Sequence, residues 1–330
     1  MPKYTPPFTL SNKILTLVAQ ISEQIGRLTI QQEQEKLLRL RKVNRMRTVQ
    51  GSLAIEGSTL TQQQITAILD GKRIIAPPKE VQEAHNAIST YDALAQWQPA
   101  NSKHLLAAHL LMMKGLVKDA GMYRHEGVGV MSGEQVVHMA PQADRVAKLM
   151  AELLDWLANC DVHPLIASCV FHYEFEFIHP FSDGNGRMGR LWQTLILSKW
   201  HEVFVNIPVE SMVHQHQDDY YLAIRQSTQQ TDSAPFIEFM LQMIFDAITE
   251  AKTSEIEGLN AGLNAGLKLS DVDKDILAFI EQDCCITNAQ LAEKCGKSQS
   301  TIERRIKLLK DGGLITRVGA KKTGYWEANS

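Results

Sequence analysis

The chain has 330 residues, of which 44% are hydrophobic and 22% charged, a composition typical of a globular protein that excludes a disordered chain. Its first residues lack the basic start and apolar stretch of a secretory signal, and no run approaches the roughly 18 apolar residues of a membrane span. Five scattered cysteines indicate thiols that stay reduced, so we expect a cytoplasmic protein without a membrane partner.

The net charge of −3 conceals a basic segment near the C-terminus. Residues 297–322 carry eight Lys or Arg side chains against Glu303 and Asp311, a local charge of +6 that leaves −9 for the rest of the chain. This asymmetry predicts that the C-terminal part is a separate electrostatic unit.

Apolar residues at helical spacing predict that residues 1–97 form an N-terminal helical region. Within it, Thr61 and Gln64 form a capping-box pattern, and Gly71 ends the helix that they begin. The same spacing predicts a helical core over residues 98–250, interrupted by one β-hairpin pattern at GVGVMSGEQVVHM, residues 127–139. The repeat GLNAGLNAGLKL then indicates a linker at 251–269.

Residues 270–330 read as three helices followed by a β-hairpin, the arrangement of a winged helix-turn-helix domain. In this arrangement QSTIERRIKLLKDG is the recognition helix, and LITRVGAKKTGYWEA forms the wing. Such domains also serve in dimerisation and protein docking, so DNA and a second copy of the chain both remain candidate partners. The residues predicted to contact DNA are Arg304 and Arg305 on the helix and Lys321 and Lys322 on the wing.

The stretch IHPFSDGNGRMGRLW, residues 178–192, concentrates groups that carry chemistry. Pro180 disfavours helical geometry at His179, so a helix should stop at Ile178 and present His179 from a loop, where it can act as a base. The turn that follows is rich in glycine, and a new helix starts directly after it.

The start of that second helix is a candidate anion site, because its first N–H groups lack partners and lie at the positive end of the helix dipole. Arg187 and Arg190 are three residues apart, so both should project toward the same anion. Asp183 beside an anion would be destabilised unless a cation lay between them, which indicates Mg²⁺. The pattern therefore predicts a nucleotide site with a base.

The order His-Pro-Phe-x-Asp-Gly-Asn-Gly-Arg-x-x-Arg resembles the signature of the Fic family at every fixed position, and the resemblance extends over about residues 40–245. It implies a mainly α fold, with a Fic-type helical bundle and a short β-hairpin flap beside the small α/β winged-helix domain. The activity that it implies is transfer of AMP from ATP to a hydroxyl group of a protein, which can be the chain itself.

The resemblance also implies a role for each residue of the motif. His179 resembles the general base, and Asp183 resembles the Mg²⁺ ligand. The phosphate cradle and clamps would be Gly184, Asn185, Gly186, Arg187 and Arg190.

Two further regions take expectations from the resemblance. The hairpin resembles the flap on which a target segment adds as a β strand, with Val136, Val137 and His138 as docking residues. Tyr220 and Tyr221 lie where related proteins place residues near the nucleoside, although tyrosines at these positions are equally consistent with a core.

The segment TVQGSLAIEGSTL, residues 48–60, carries an unexpected charge. Glu56 lies at the end of a predicted helix, before a glycine cap at Gly57, where the helix dipole disfavours a negative side chain. Ser52, Glu56 and Gly57 match the inhibitory helix motif of the family. The resemblance implies that Glu56 pairs with Arg190 and blocks the productive position of the γ-phosphate.

Three alternatives stay open. His172, Glu174, Glu176 and His179 in HYEFEFIH could form a metallohydrolase site, although the spacing lacks the i,i+4 histidine pair of such enzymes. A DNA-binding regulator could use the core only to sense nucleotide, and related enzymes also remove AMP.

Overall fold

The computed structural model describes residues 4–31, 37–127, 129–132, 135–265, 270–284, 286–311, 315–318 and 325–328. Two compact units are present, Met1–Ala251 and Lys252–Ser330. Within the described residues, no helix combines the length and the apolar character that crossing a membrane requires.

The described part of residues 4–92 forms four helices, in agreement with the helical region that the apolar spacing predicts. The capping box of Thr61 and Gln64 is confirmed, because each side chain bonds to the backbone N–H of the other residue. Gly57 has a φ of 88°, and the preceding helix ends two residues before it. The helices are α1 (Asn12–Gln31), α2 (Leu37–Ile55), α3 (Gln62–Leu69) and α4 (Pro78–Asp92).

The centre of this unit is a helix that is buried on all sides. Helix α7 (Pro164–Ile178) has thirteen of its fifteen residues buried, which explains why its sequence is mostly apolar. It packs most extensively against α8 (Asn185–Trp200), whose Trp192 contributes one of the largest buried side chains. The elements around them are α5 (Ser102–Met112), β1 (Gly129–Ser132), β2 (Gln135–Met139), α6 (Ala143–Asn159), α7 (Pro164–Ile178) and α8 (Asn185–Trp200).

The predicted β-hairpin is present as an antiparallel pair of strands. Val130 lies opposite His138 and Met131 lies opposite Val136, so Val137 is the extra residue of a bulge. A bulge re-aims the strand locally and is common next to active sites. The side chains of Val136, Val137 and His138 lie outside the described part of the structure.

Three helices complete the first unit, namely α9 (Val209–Gln215), α10 (Gln217–Gln230) and α11 (Ala234–Ala265). No sequence pattern predicts α9 and α10, and α10 (QDDYYLAIRQSTQQ) is mostly polar. Helix α11 continues beyond the unit boundary to Ala265, so the segment predicted as a linker is helical over its described part.

The second unit has the order of elements predicted for a winged helix. Among the described residues of this unit, nine form its core, including Ile302 and Ile306 from the predicted recognition helix and Trp326 from the last strand. The elements are α12 (Asp271–Gln282), α13 (Asn288–Lys294), α14 (Gln299–Asp311), β3 (Ile315–Val318) and β4 (Tyr325–Ala328), and the two strands pair antiparallel. The mainly α fold class with this small α/β domain is confirmed.

Candidate functional site

His179 lies directly after α7, as Pro180 predicts. Its N–H donates to the carbonyl oxygen of Phe175 at 2.9 Å, and its backbone is left-handed, with φ of 50° and ψ of 62°. A non-glycine residue adopts this region only when its surroundings enforce it. The imidazole is 18% exposed, so it remains accessible although it lies at the end of a buried helix.

The turn between α7 and α8 is held by side chains rather than by regular structure. Asn185 accepts from the N–H of Phe181 and donates to its carbonyl oxygen, both at 2.9 Å. Gly184 has a φ of 82°, and a Cβ atom there would meet the Sδ atom of Met113 at 2.6 Å. The side chain of Asn185 therefore holds the turn closed. The group of Asn185 that could meet a phosphate is then its backbone N–H.

His109 supports the same turn from α5, and the sequence patterns do not single it out. Its Nδ1 accepts from the N–H of Gly121 at 2.8 Å, so its Nε2 carries the proton and donates to the carbonyl oxygen of Asp183 at 3.1 Å. Burial lowers the pKa of His109 to about 4, which keeps the ring neutral. The ring also stacks on Phe181, with centroids 3.6 Å apart.

Arg187 is placed by two carboxylates. Its guanidinium lies 3.4 Å from Glu83 on α4 and 3.4 Å from Asp183, and only 4% of its side chain is exposed. Asp183 is half exposed, so its carboxylate faces solvent beside the start of α8. Glu83 lies 104 residues before Arg187, which is why no local pattern indicates the pair.

Arg190 points from α8 toward the end of α2. Its Nη2 donates to Glu56 Oε1 at 2.6 Å and to the carbonyl oxygen of Ser52 at 3.1 Å, and its Nε lies 3.4 Å from Ser52 Oγ. Burial lowers the pKa of Arg190, but Glu56 and further acidic groups outweigh burial and hold the pKa above its ordinary value. The pairing of Glu56 with Arg190 that the resemblance implies is thus present as a contact.

The Glu56 carboxylate also lies against the first turn of α8. A Cβ atom at Gly186 would come within 2.6 Å of Glu56 Oε1 and 2.9 Å of Arg190 Nη1, so a side chain there would displace the paired carboxylate and guanidinium. The N–H groups of a first helical turn attract anions. Glu56 therefore occupies space that a phosphate bound to this helix end would need. Gln217 on α10 donates to the carbonyl oxygen of Ile55 at 2.8 Å and holds the end of α2 in place.

Glu176 is a buried carboxyl group next to the candidate base. Its Oε2 lies 3.9 Å from His179 Nδ1, while its Oε1 lies 3.8 Å from His172 Nε2. Burial raises the pKa of Glu176 to about 7, although Arg190 acts in the opposite direction. A carboxyl group that titrates near neutral pH can support a proton on His179.

His172 is buried and is held by neighbouring side chains. Its Nδ1 lies 2.7 Å from Gln193 Oε1 and its Nε2 lies 3.2 Å from the hydroxyl of Tyr220. Burial lowers the pKa of His172 to about 3, so the ring stays neutral. With both nitrogens engaged and no exposed surface, His172 does not serve the metallohydrolase alternative.

The two tyrosines differ. Tyr220 is 2% exposed and packs against Phe236 and Phe239, so its position here is that of a core side chain. Tyr221 is partly buried at the edge of the same core.

The residues predicted to contact DNA differ in exposure. Arg304 is exposed on α14, whereas Arg305 is half-buried and lies 3.5 Å from the buried carboxylate of Asp273 on α12. Lys321 and Lys322 lie outside the described residues.

Comparison with known proteins agrees with the sequence motifs. Residues 99–197 match the model of the Fic/DOC family, and residues 269–316 match that of a winged helix-turn-helix DNA-binding domain. The chain is 29% identical over 204 residues to a protein adenylyltransferase Fic of Nematostella vectensis, covering 57% of this chain and 44% of that protein. It is 27% identical over 295 residues to protein adenylyltransferase fic-1 of Caenorhabditis elegans, covering 83% and 54%. The chain thus spans about half the length of these curated relatives.

Solved structures show the same relationship. The crystal structure of a Fic family protein from Desulfovibrio desulfuricans G20 is 44% identical, with a TM-score of 0.75 and 99% of each chain covered. Residues 134–508 of Caenorhabditis elegans Fic-1 share the fold at 20% identity and a TM-score of 0.64, with 74% of this chain and 73% of that one covered. The 44% identity over nearly the whole of this chain and of the Desulfovibrio chain places this chain in the Fic family.

Proposed function

We propose that this Fic family protein is a protein adenylyltransferase, which moves AMP from ATP to a Ser, Thr or Tyr hydroxyl of a protein, the chain itself included. The observation that carries the proposal is the juxtaposition of His179, at the end of α7, with the glycine turn and arginines that open α8. Nucleotidyl transfer requires a base, an anion site and fixed positions for both. The names of the curated relatives support the same activity.

ATP would bind with its phosphates at the start of α8. The N–H groups of Asn185 and Gly186 would face the phosphates, whereas the N–H of Gly184 donates to Asp183 Oδ1 at 2.6 Å and would have to exchange that partner for a phosphate oxygen. Arg187 and Arg190 add two positive charges. The half-exposed carboxylate of Asp183 fits Mg²⁺, because this ion is usually held by one or two carboxylates together with substrate phosphates. Mg²⁺ held there would neutralise part of the phosphate charge.

His179 would act on the target hydroxyl. The imidazole takes the hydroxyl proton while the oxygen bonds to the α-phosphorus, and the bond to the β-phosphate breaks so that pyrophosphate leaves. Glu176, 3.9 Å from His179 Nδ1, stabilises the imidazolium that forms. The target segment docks along β2, where Val136, Val137 and His138 lie, as an added strand.

Glu56 restrains this reaction. Its carboxylate holds Arg190 and lies against Gly186, so ATP can place its γ-phosphate productively only when Glu56 moves away. Ser52 and Gly57 shape this restraint, because Ser52 accepts two further hydrogen bonds from Arg190 and Gly57 turns the chain after Glu56.

A second candidate is a nucleotide-sensing regulator that binds DNA. The winged-helix unit and the exposed Arg304 on α14 favour it. A pure sensor has no need of a base at His179, which makes transfer the better-supported function. Removal of AMP by the same site is the third candidate, with Glu56 orienting a water molecule.

The deciding experiment is intact-mass spectrometry of the purified protein, with and without Glu56→Gly, after incubation with ATP and Mg²⁺. Transfer predicts a gain of one adenylyl group on the chain or on an added target, and no gain in His179→Ala. A DNA-binding sensor predicts no covalent gain but ATP-dependent DNA affinity. An enzyme that removes AMP predicts mass loss from a modified target, abolished in Glu56→Gly.

A further inference from the structure

Arg124 bonds to the backbone of the turn that carries His179. Its Nε donates to the carbonyl oxygen of His179 at 2.7 Å and its Nη2 to that of Ile178 at 3.3 Å. Its own backbone N–H donates to the carbonyl oxygen of Pro180 at 2.9 Å. Arg124 therefore contacts three consecutive carbonyl groups, and its side chain is buried, with 2% of the residue exposed.

The same guanidinium bonds to both ends of the hairpin. Its Nη1 donates to the carbonyl oxygen of Glu126 at 2.8 Å, and its Nη2 donates to that of Pro141 at 2.5 Å. Glu126 precedes β1 and Pro141 follows β2, so the two carbonyls mark the base of the hairpin. Four side-chain hydrogen bonds thus join the hairpin to the turn that carries His179.

Helix geometry explains why a cation is needed here. The last carbonyl groups of α7 have no partner within the helix, and the negative end of its dipole favours a positive charge. The backbone of His179 is also left-handed, a conformation whose free-energy cost must be offset by other contacts. Arginine presents several N–H groups in a rigid plane, whereas lysine presents a point charge on a flexible stem.

We propose that Arg124 is a positioning residue that sets the hairpin at a fixed distance from the base, so that a docked target hydroxyl meets His179. This inference rests on the proposed function, because the hairpin acts as the docking strand only if a protein is the target. The four hydrogen bonds of the Arg124 guanidinium go to backbone carbonyl groups. Its effect is on alignment, where a displacement of about 1 Å can reduce a rate by about a hundredfold.

The test uses Arg124→Lys and Arg124→Gln in the full chain with Glu56→Gly, so that transfer is measurable. Arg124→Lys keeps the positive charge but loses the planar set of N–H donors, and Arg124→Gln loses both. We expect ATP affinity within about twofold of the parent, while transfer to a protein target falls by about tenfold to a hundredfold. Amide hydrogen exchange should rise in residues 129–139 and remain unchanged in α8.

Ile21→Val in α1 is the matched control, because it removes a buried methyl group far from the turn along the chain. It should lower the melting temperature without altering transfer per folded molecule. Transfer by the Arg124 variants equal to that of this control, or exchange that rises uniformly over the chain, would overturn the proposal.

If both Arg124 variants fail to fold, NMR of the unaltered protein still tests whether Arg124 holds the turn that carries His179. The Arg124 Nε–H should exchange slowly and show NMR coupling through its hydrogen bond to the His179 carbonyl group. An Nε–H that exchanges as fast as that of free arginine would refute the inference. These measurements require no transfer, so absence of AMP transfer in the parent protein refutes the proposed function alone.

Discussion

Replacing Glu56 with glycine should raise AMP transfer, and the structure sets the size of the gain. A hydrogen bond to a charged group contributes about 1.5 to 3 kcal/mol when buried. Arg190 is 2% exposed, but Glu56 is 34% exposed, so water screens the pair and reduces its contribution to the lower end of that range or just below it. We therefore expect the restrained arrangement to lose about 1 to 2 kcal/mol, which corresponds to roughly five- to thirtyfold more competent protein.

The assay is the initial rate of labelled AMP incorporation from ATP and Mg²⁺, into the chain itself and into an added protein. Glu23→Gln is the matched control, because Glu23 contacts Arg27 at the same distance of 2.6 Å but both side chains are more than 60% exposed. It should leave the rate unchanged. The double change Glu56→Gly with Arg190→Ala should lose most of the gain, since the released clamp is absent.

An unchanged rate in Glu56→Gly, with transfer still abolished in His179→Ala, would refute the restraint and leave the base assignment intact. A gain of equal size in the double variant would show that Glu56 acts other than through Arg190. Loss of AMP removal from a modified target, in place of a gain in transfer, would assign Glu56 to a second activity.

Three further predictions concern the base, its neighbour and the winged helix. His179→Ala should lower transfer by about 10² to 10⁴ while ATP binding, measured by calorimetry, persists, and a rate like that of the parent would refute the assignment. The folded-state pKa of Glu176 is raised to about 7, so its contribution to the free energy of unfolding is complete below its ordinary pKa and is lost as the pH rises through 7. The melting temperature should therefore fall between pH 5 and pH 8, and it should fall less in Glu176→Gln. Parallel curves for the two proteins would contradict this. DNA affinity should fall steeply with salt, and replacing Lys321 and Lys322 by alanine should flatten that dependence by about one or two phosphate contacts; absence of binding at low salt would assign the domain to protein docking.

Local sequence rules determined much of the scaffold. Pro180 predicts the end of α7 at Ile178, and the structure ends the helix at that residue. The capping box at Thr61, the hairpin and the winged-helix order follow in the same way, because caps, turns and apolar spacing act over a few neighbouring residues. The pairing of Glu56 with Arg190 was implied by a resemblance in motif, not by any such rule.

Tertiary structure alone decided which groups meet. Glu83 reaches Arg187 across 104 residues, and Arg124 reaches the carbonyl group of His179 across 55, distances at which no spacing rule operates. Burial likewise turned Glu176 from one more acidic residue in a helix into a carboxyl group that titrates near neutral pH. Such properties arise from packing, because the loss of water around a charge depends on every element that covers it.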